Sequence, residues 1–80
     1  MNDSSIHRHI EELVAEEHRL LERAEAQALS DDERARLDDL NVQLDRFYDL
    51  LRQRRARREF GQDPGTAGLR DADTVEHYLQ

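Results

Sequence analysis

The sequence predicts an all-α protein: an antiparallel two-helix hairpin of coiled-coil type, pairing with a second copy into a four-helix bundle, with a short C-terminal helix. Three observations carry that expectation. Apolar residues recur at steps of three and four in two long segments. A helix-start signal, Ser30-Asp31-Asp32-Glu33, divides the two segments. The three glycines and the single proline all fall between Gly61 and Gly68, so the first sixty residues contain no helix breaker.

In the first segment the seam runs through Ile6, Ile10, Leu13, Leu20 and Ala24, with Glu17 as its polar member. Val14 and Leu21 widen the seam into a face. Asn2, Asp3, Ser4 and Ser5 are all suitable N-caps, and Asp3, Glu11 and Glu12 place negative charge toward the positive end of the helix dipole. The spacing predicts a helix over about 4–28.

The second helix starts at the capping box of Ser30 and Glu33 and runs over about 31–59. Its seam is Leu37, Leu40, Leu44, Phe47 and Leu51, broadened by Tyr48 and Leu50 and continued in register by Arg54 and Arg58. Gly61 supplies the stop and Asp63-Pro64-Gly65 the turn. A connection this short makes the helices antiparallel. With the turn centred on Leu29 and Ser30, Leu20 faces Leu40, Glu17 faces Leu44, Leu13 faces Phe47, Ile10 faces Leu51 and Ile6 faces Arg54. Residues 1–60 thus form the hairpin, 61–70 read as a flexible linker, and 71–80 as a short helix with Val75, Tyr78 and Leu79 on one face.

Composition narrows the function classes. The chain has 80 residues, a net charge of −7 and no cysteine, which excludes disulfides, thiolate metal sites and a cysteine nucleophile. No apolar run is long enough to span a bilayer and Met1–Ser5 does not read as a signal peptide, so the expected location is cytoplasmic. Leu, Ile, Val and Phe number 18, close to the level at which a strongly charged chain stays unfolded. A lone hairpin of this size supplies a core worth no more than about 3–5 kcal/mol. The expected resolution is a homodimer, with Val14, Glu17, Leu21, Phe47, Tyr48 and Leu50 as interface residues and Glu17 fixing register or partner; the alternatives are a monomer with the final helix folded back over the face and a hetero-partner that supplies the missing helices.

Arg52, Arg54, Arg55, Arg57 and Arg58 form the sharpest local feature, in a chain of twelve arginines and no lysine. The remaining residues carry −12, so the charge is strongly bipolar. Guanidinium groups at this density suit phosphates, which makes an anionic-partner or nucleic-acid surface one reading. Against it, the five point in different directions around a helix, no aromatic residue interleaves with them, and the net charge repels polyanions. Pairing with Asp3, Glu11 or Glu12 of the neighbouring helix start is favoured.

Glu16-Glu17-His18, with His18 and Glu22 four apart on one face, sets up a weaker reading as a carboxylate–histidine metal site. The Glu-x-x-His spacing of bundle metal sites does not occur, so no metal ligand is assigned. His7 and His9 project on opposite sides of a helix start and read as solvated. The serines, Ser4, Ser5 and Ser30, all sit where capping explains them, and no glycine-rich loop follows a strand. No catalytic residue, cofactor or small-molecule substrate is therefore expected.

Leu13-Val14-Ala15-Glu16-Glu17-His18-Arg19-Leu20, the block from Leu44-Asp45 through Tyr48-Asp49-Leu50-Leu51-Arg52-Gln53-Arg54-Arg55-Ala56-Arg57-Arg58 to Gly61-Gln62-Asp63-Pro64, and the closing Val75-Glu76-His77-Tyr78-Leu79 carry a resemblance. Together they resemble a family of short bacterial helical proteins known only as a domain of unknown function. The resemblance covers almost the whole chain and is most specific from Asp49 to Arg58. The sequence departs from that family's pattern at Tyr48, where a tryptophan is usual, and at His77, where a small residue is. The resemblance implies a helical hairpin and no particular reaction. The expected function is a non-catalytic protein–protein interaction or regulatory module, with nucleic-acid association through Arg52–Arg58 as the alternative.

Overall fold

A computed structural model describes residues 1–79, and the side chains of residues 1–77. Helix α1 spans Asp3–Ala26, α2 spans Asp31–Glu59, a 3-10 turn covers Pro64–Thr66, and α3 spans Ala72–Leu79. Among the described residues there is no strand. Gln80 and the side chains of Tyr78 and Leu79 lie outside the described residues, and with them the expected shared face of Val75, Tyr78 and Leu79.

Each boundary has a local cause. Asn2 caps α1: its Oδ1 accepts from the Ser5 amide at 2.8 Å, and the Ser5 hydroxyl oxygen accepts from the Asn2 amide at 3.2 Å. Ser30 and Glu33 form the second reciprocal box, with bonds of 3.1 and 3.0 Å. Helix α1 stops at Ala26, earlier than its apolar steps imply, because Gln27 turns to extended backbone. The four-residue connection therefore centres between Ala28 and Leu29. That displaces the facing pairs from the expected register by about one helical turn, so His9 stacks on Phe47, with ring centroids 4.6 Å apart. The end of α2 is a glycine cap of Schellman type. Gly61 takes φ +71°, its amide donates to the Arg58 carbonyl at 3.2 Å, and the Gln62 amide donates to the Arg57 carbonyl at 2.7 Å.

Helix α2 is the axis of the molecule. The core joins Ile6 and Ile10 of α1 to Leu44, Phe47 and Leu50 of α2, with Leu13, Val14, Leu51 and Ala67 packed around them. Leu40 and Val75 are also fully buried. Ala67 belongs to the segment expected to be a flexible linker. That segment instead runs back along α2: Arg54 donates to the Pro64 carbonyl at 3.1 Å, Gln53 to the Gly68 carbonyl at 2.9 Å and Arg46 to the Arg70 carbonyl at 2.9 Å. Asp71, accepting from the Thr74 amide at 2.8 Å, then starts α3, which lies on α2 with Val75 inside. The result is elongated, 50 × 26 × 15 Å. Among the described residues no helix is long and apolar enough to cross a membrane.

Because Gly61 sits in the left-handed region, where a Cβ is disfavoured, Gly61→Ala is expected to cost about 1–2 kcal/mol. The urea midpoint should fall with an unchanged slope.

Candidate functional site

Two surfaces remain to be placed: the arginine end of the hairpin and the helical faces flagged as an interface. At the arginine end most of the run is engaged internally. Arg54 is only 8% exposed; its Nε donates to Asp3 Oδ1 at 2.5 Å while another nitrogen holds the Pro64 carbonyl. Arg58 reaches the other Asp3 oxygen at 2.9 Å. Arg57 donates to the Thr66 hydroxyl at 2.9 Å, and Arg55 pairs with Glu59 one turn on at 3.1 Å. Arg52 is exposed and pairs with no described residue. The five thus do not form one cationic patch. Asp3 was legible as a partner, but the Pro64 and Thr66 acceptors were not.

Phe60 is the residue that sequence reasoning passed over here. It follows the run directly, is 79% exposed, and borders an open cleft shared with Gln53, Ala56, Arg57, Gln62 and Arg70. Its only sequence signal is that it falls off the apolar register of α2. Asp49 was missed as well. It is 5% exposed, accepts from Gln53 at 2.8 Å and lies 3.6 Å from Arg70, so it anchors the returning segment.

The expected interface residues divide. Phe47 and Leu50 are 5% and 4% exposed, inside the intramolecular core, and offer no surface to a partner. The physical reason is the returning segment, whose Ala67 covers that side of α2. Val14 and Glu17 are half-buried, while Leu21 and Tyr48 stand 46% and 44% exposed. The cross-helix contacts His9–Phe47, Glu16–Arg36 at 2.5 Å and Arg23–Glu33 at 2.6 Å all lie on one edge of the hairpin. A rotation of about 100° per residue puts Val14, Leu21 and Tyr48 on the opposite edge, and the segment that returns over Leu50 and Arg54 leaves that edge open. Among the described residues no three His, Asp or Glu side chains converge as a metal would require, and Glu16, one of the candidate carboxylates, is taken by Arg36.

The electrostatics follow from these pairings. Hydrogen bonds from Arg54 and then Arg58 hold the Asp3 carboxyl below the ordinary carboxylate range, and the bond from Arg36 does the same for Glu16. The Ser30 amide lowers Glu33. Glu76 moves the other way: the Asp45 carboxyl beside it, with burial second, pushes it up.

This architecture defines a small helical-hairpin protein whose C-terminal segment is folded back on the hairpin. The chain belongs to the family described as Protein of unknown function (DUF2630), which matches residues 2–80. It is 44% identical over 77 residues to the uncharacterized proteins Rv0898c of Mycobacterium tuberculosis and Mb0922c of Mycobacterium bovis. Each match covers 95% of this chain and 88% of the relative. No solved structure matches.

The shifted carboxyls give stability opposite pH dependences at the C-terminal end of α2 and at its middle. The lowered Asp3 contributes fully above the ordinary carboxylate range and loses its contribution as pH falls through its depressed value. Asp3→Asn should therefore lower the melting temperature at about pH 7 and flatten its fall toward about pH 3. The raised Glu76 favours docking of α3 while protonated, and that contribution is lost as pH rises through its elevated value. Glu76→Gln should keep the amide-exchange protection of Val75 constant across the same range, where the unsubstituted protein loses protection as pH rises.

Proposed function

We propose that the protein is a non-catalytic, cytoplasmic interaction module that works as a homodimer, two hairpins closing a four-helix bundle through their open edges. The observation that carries this reading is the exposure of Leu21 and Tyr48 on the edge of the hairpin that the returning segment leaves uncovered. Around them lie the half-buried Val14 and Glu17. An apolar strip of this kind, in a chain with so small a core, gains most from being covered by another copy of itself.

The 24 residues of α1 make the face about 36 Å long. Polar groups such as Glu17 within it suit specificity of pairing more than affinity. The nucleic-acid reading draws less support: Arg54, Arg55, Arg57 and Arg58 are each engaged within the chain, and a phosphate would have to compete with Asp3 for two of them.

Light scattering after gel filtration should give about twice the 9.4 kDa chain mass. Leu21→Glu or Tyr48→Glu should return the mass to that of one chain with helical content retained, since both side chains are exposed in the hairpin. A monomeric unsubstituted protein at the highest soluble concentration would sink the proposal.

A further inference from the structure

The return of the tail along α2 builds a small cleft that the open edge does not use. It measures about 220 Å³ and lies between the last turns of α2 and the returning segment. Gln53, Ala56 and Arg57 line it from α2, Arg70 from the tail, and Phe60 and Gln62 from the reversal between them. Its two cations differ in charge balance. Arg70 lies 3.6 Å from the Asp49 carboxylate, itself 5% exposed, so its charge is met inside the fold. Arg57 is half-buried, and its bond runs from Nη1 to the neutral Thr66 hydroxyl at 2.9 Å. No carboxylate among the described residues pairs with Arg57, and none of them accepts from its Nε or Nη2. Gln53 spends both side-chain N–H groups, on Asp49 at 2.8 Å and on the Gly68 carbonyl at 2.9 Å. Its amide oxygen is left as an acceptor. Phe60, at 79% exposed, is barer than Met1, Leu21, Tyr48 or Leu69.

We infer that this cleft binds the free C-terminal carboxylate of a partner peptide that ends in an apolar residue. Each feature of the cleft answers one group of such a chain end. A guanidinium presents a planar fork of donors, and the part of Arg57 that Thr66 does not engage suits the two oxygens of a carboxylate. The Gln53 oxygen accepts the amide N–H of the terminal residue, the donor nearest that carboxylate. The terminal side chain covers the Phe60 ring, and an aromatic residue beside an arginine is the pairing that dominates binding energy at interfaces. Charge selects the class of ligand. With Arg70 balanced by Asp49, the cleft holds one uncompensated positive charge, which matches a monoanion better than a phosphate dianion. The net charge of −7 on the whole chain weighs further against polyanions such as nucleic acid. Size agrees with charge. The cleft, at about 220 Å³, is smaller than the roughly 300–1,000 Å³ of pockets that enclose a whole small molecule, and it suits the end of a chain whose remainder lies outside. Because it faces the returning tail and not Leu21 and Tyr48, the site does not depend on self-association.

The probe is the peptide acetyl-Gly-Gly-Phe with a free carboxylate, titrated into the isotope-labelled full chain and followed by amide chemical shifts. Saturable shifts should centre on Arg57, Phe60, Gly61 and Gln62. The same peptide with an amidated C-terminus should bind about tenfold more weakly, because it lacks the charge. Acetyl-Gly-Gly-Gly with a free carboxylate should also bind about tenfold more weakly, because it leaves the Phe60 ring uncovered. Phe60→Ser should remove the difference between the Phe-ending and Gly-ending peptides, and the exposure of this side chain spares the fold. Arg57→Gln should remove the preference for acid over amide, with circular dichroism verifying retained helix. The peptide comparisons need no substitution, so a misfolded variant leaves the test intact. Equal affinity for acid and amide, shifts centred elsewhere, or no saturable shift would overturn the site. Phenylacetate binding as tightly as the peptide would overturn a chain end as its occupant, and so would tighter binding of phenyl phosphate or a short oligonucleotide. The titration reads the cleft whether the protein is one chain or two, so its failure and that of the proposed dimer are separate results.

Discussion

A guanidinium taken out of water has to be met by a negative charge and by acceptors for its remaining N–H groups, or it destabilises whatever surrounds it. Arg54 is in that position. It occupies a seam place on α2 that an apolar residue would ordinarily hold, and it is satisfied by Asp3 from the start of α1 and by the Pro64 carbonyl from beyond the end of α2. One side chain thus ties together the beginning, middle and end of the chain. Asp3 is shared with Arg58, so the first turn of α1 is held by two cations from the last turns of α2. The arrangement also suits the helix dipoles: an anion sits at an N-terminus and cations at the C-terminus that lies beside it.

Once Arg54 engages Pro64, the path of the rest of the chain is largely determined. The glycine cap at Gly61 reverses direction, Arg57 and Gln53 take the next polar groups in turn, and Asp49 and Arg46 receive the approach to α3. Each of these residues lies on the side of α2 that faces away from the open edge. The returning segment therefore completes the core over Leu50 and leaves Tyr48 bare. Hairpin asymmetry, and with it the candidate interface, is a consequence of where the arginines send the tail.

What could be read from the sequence follows the range of the signals. Capping by Ser30 and Glu33, the stop at Gly61 and the three-four seams are local, and each fixed an element without knowledge of its neighbours. The register of the hairpin was readable only to within about one turn, because it depends on where Gln27 leaves the helix, and no residue type there enforces a boundary. Phe47 and Leu50 show the deeper gap. Periodicity reports that a face is apolar, but it does not say whether a second chain or the same chain covers it. The covering segment is held by the carbonyls of Pro64, Gly68 and Arg70, and every residue possesses a carbonyl. A backbone acceptor has no sequence signature, whereas a carboxylate such as Asp3 does.

The absence of lysine acquires physical content in this light. A planar guanidinium can engage a carboxylate and a carbonyl at once, as Arg54 does with Asp3 and Pro64, and Arg46 can bond Gln43 and the Arg70 carbonyl together. An ammonium has a shorter reach between partners and a larger hydration cost when buried. In a chain with only 18 large aliphatic or Phe residues, part of the cohesion that a larger core would supply comes from such two-partner contacts. This division of labour separates arginines that fold the chain from arginines free to meet another. Arg54, Arg57 and Arg58 cannot leave their partners without loosening the tail or the start of α1. Arg52 lies on the other side of the same helix, one turn beyond Tyr48, exposed and paired with no described residue, so the fold makes no demand on its charge.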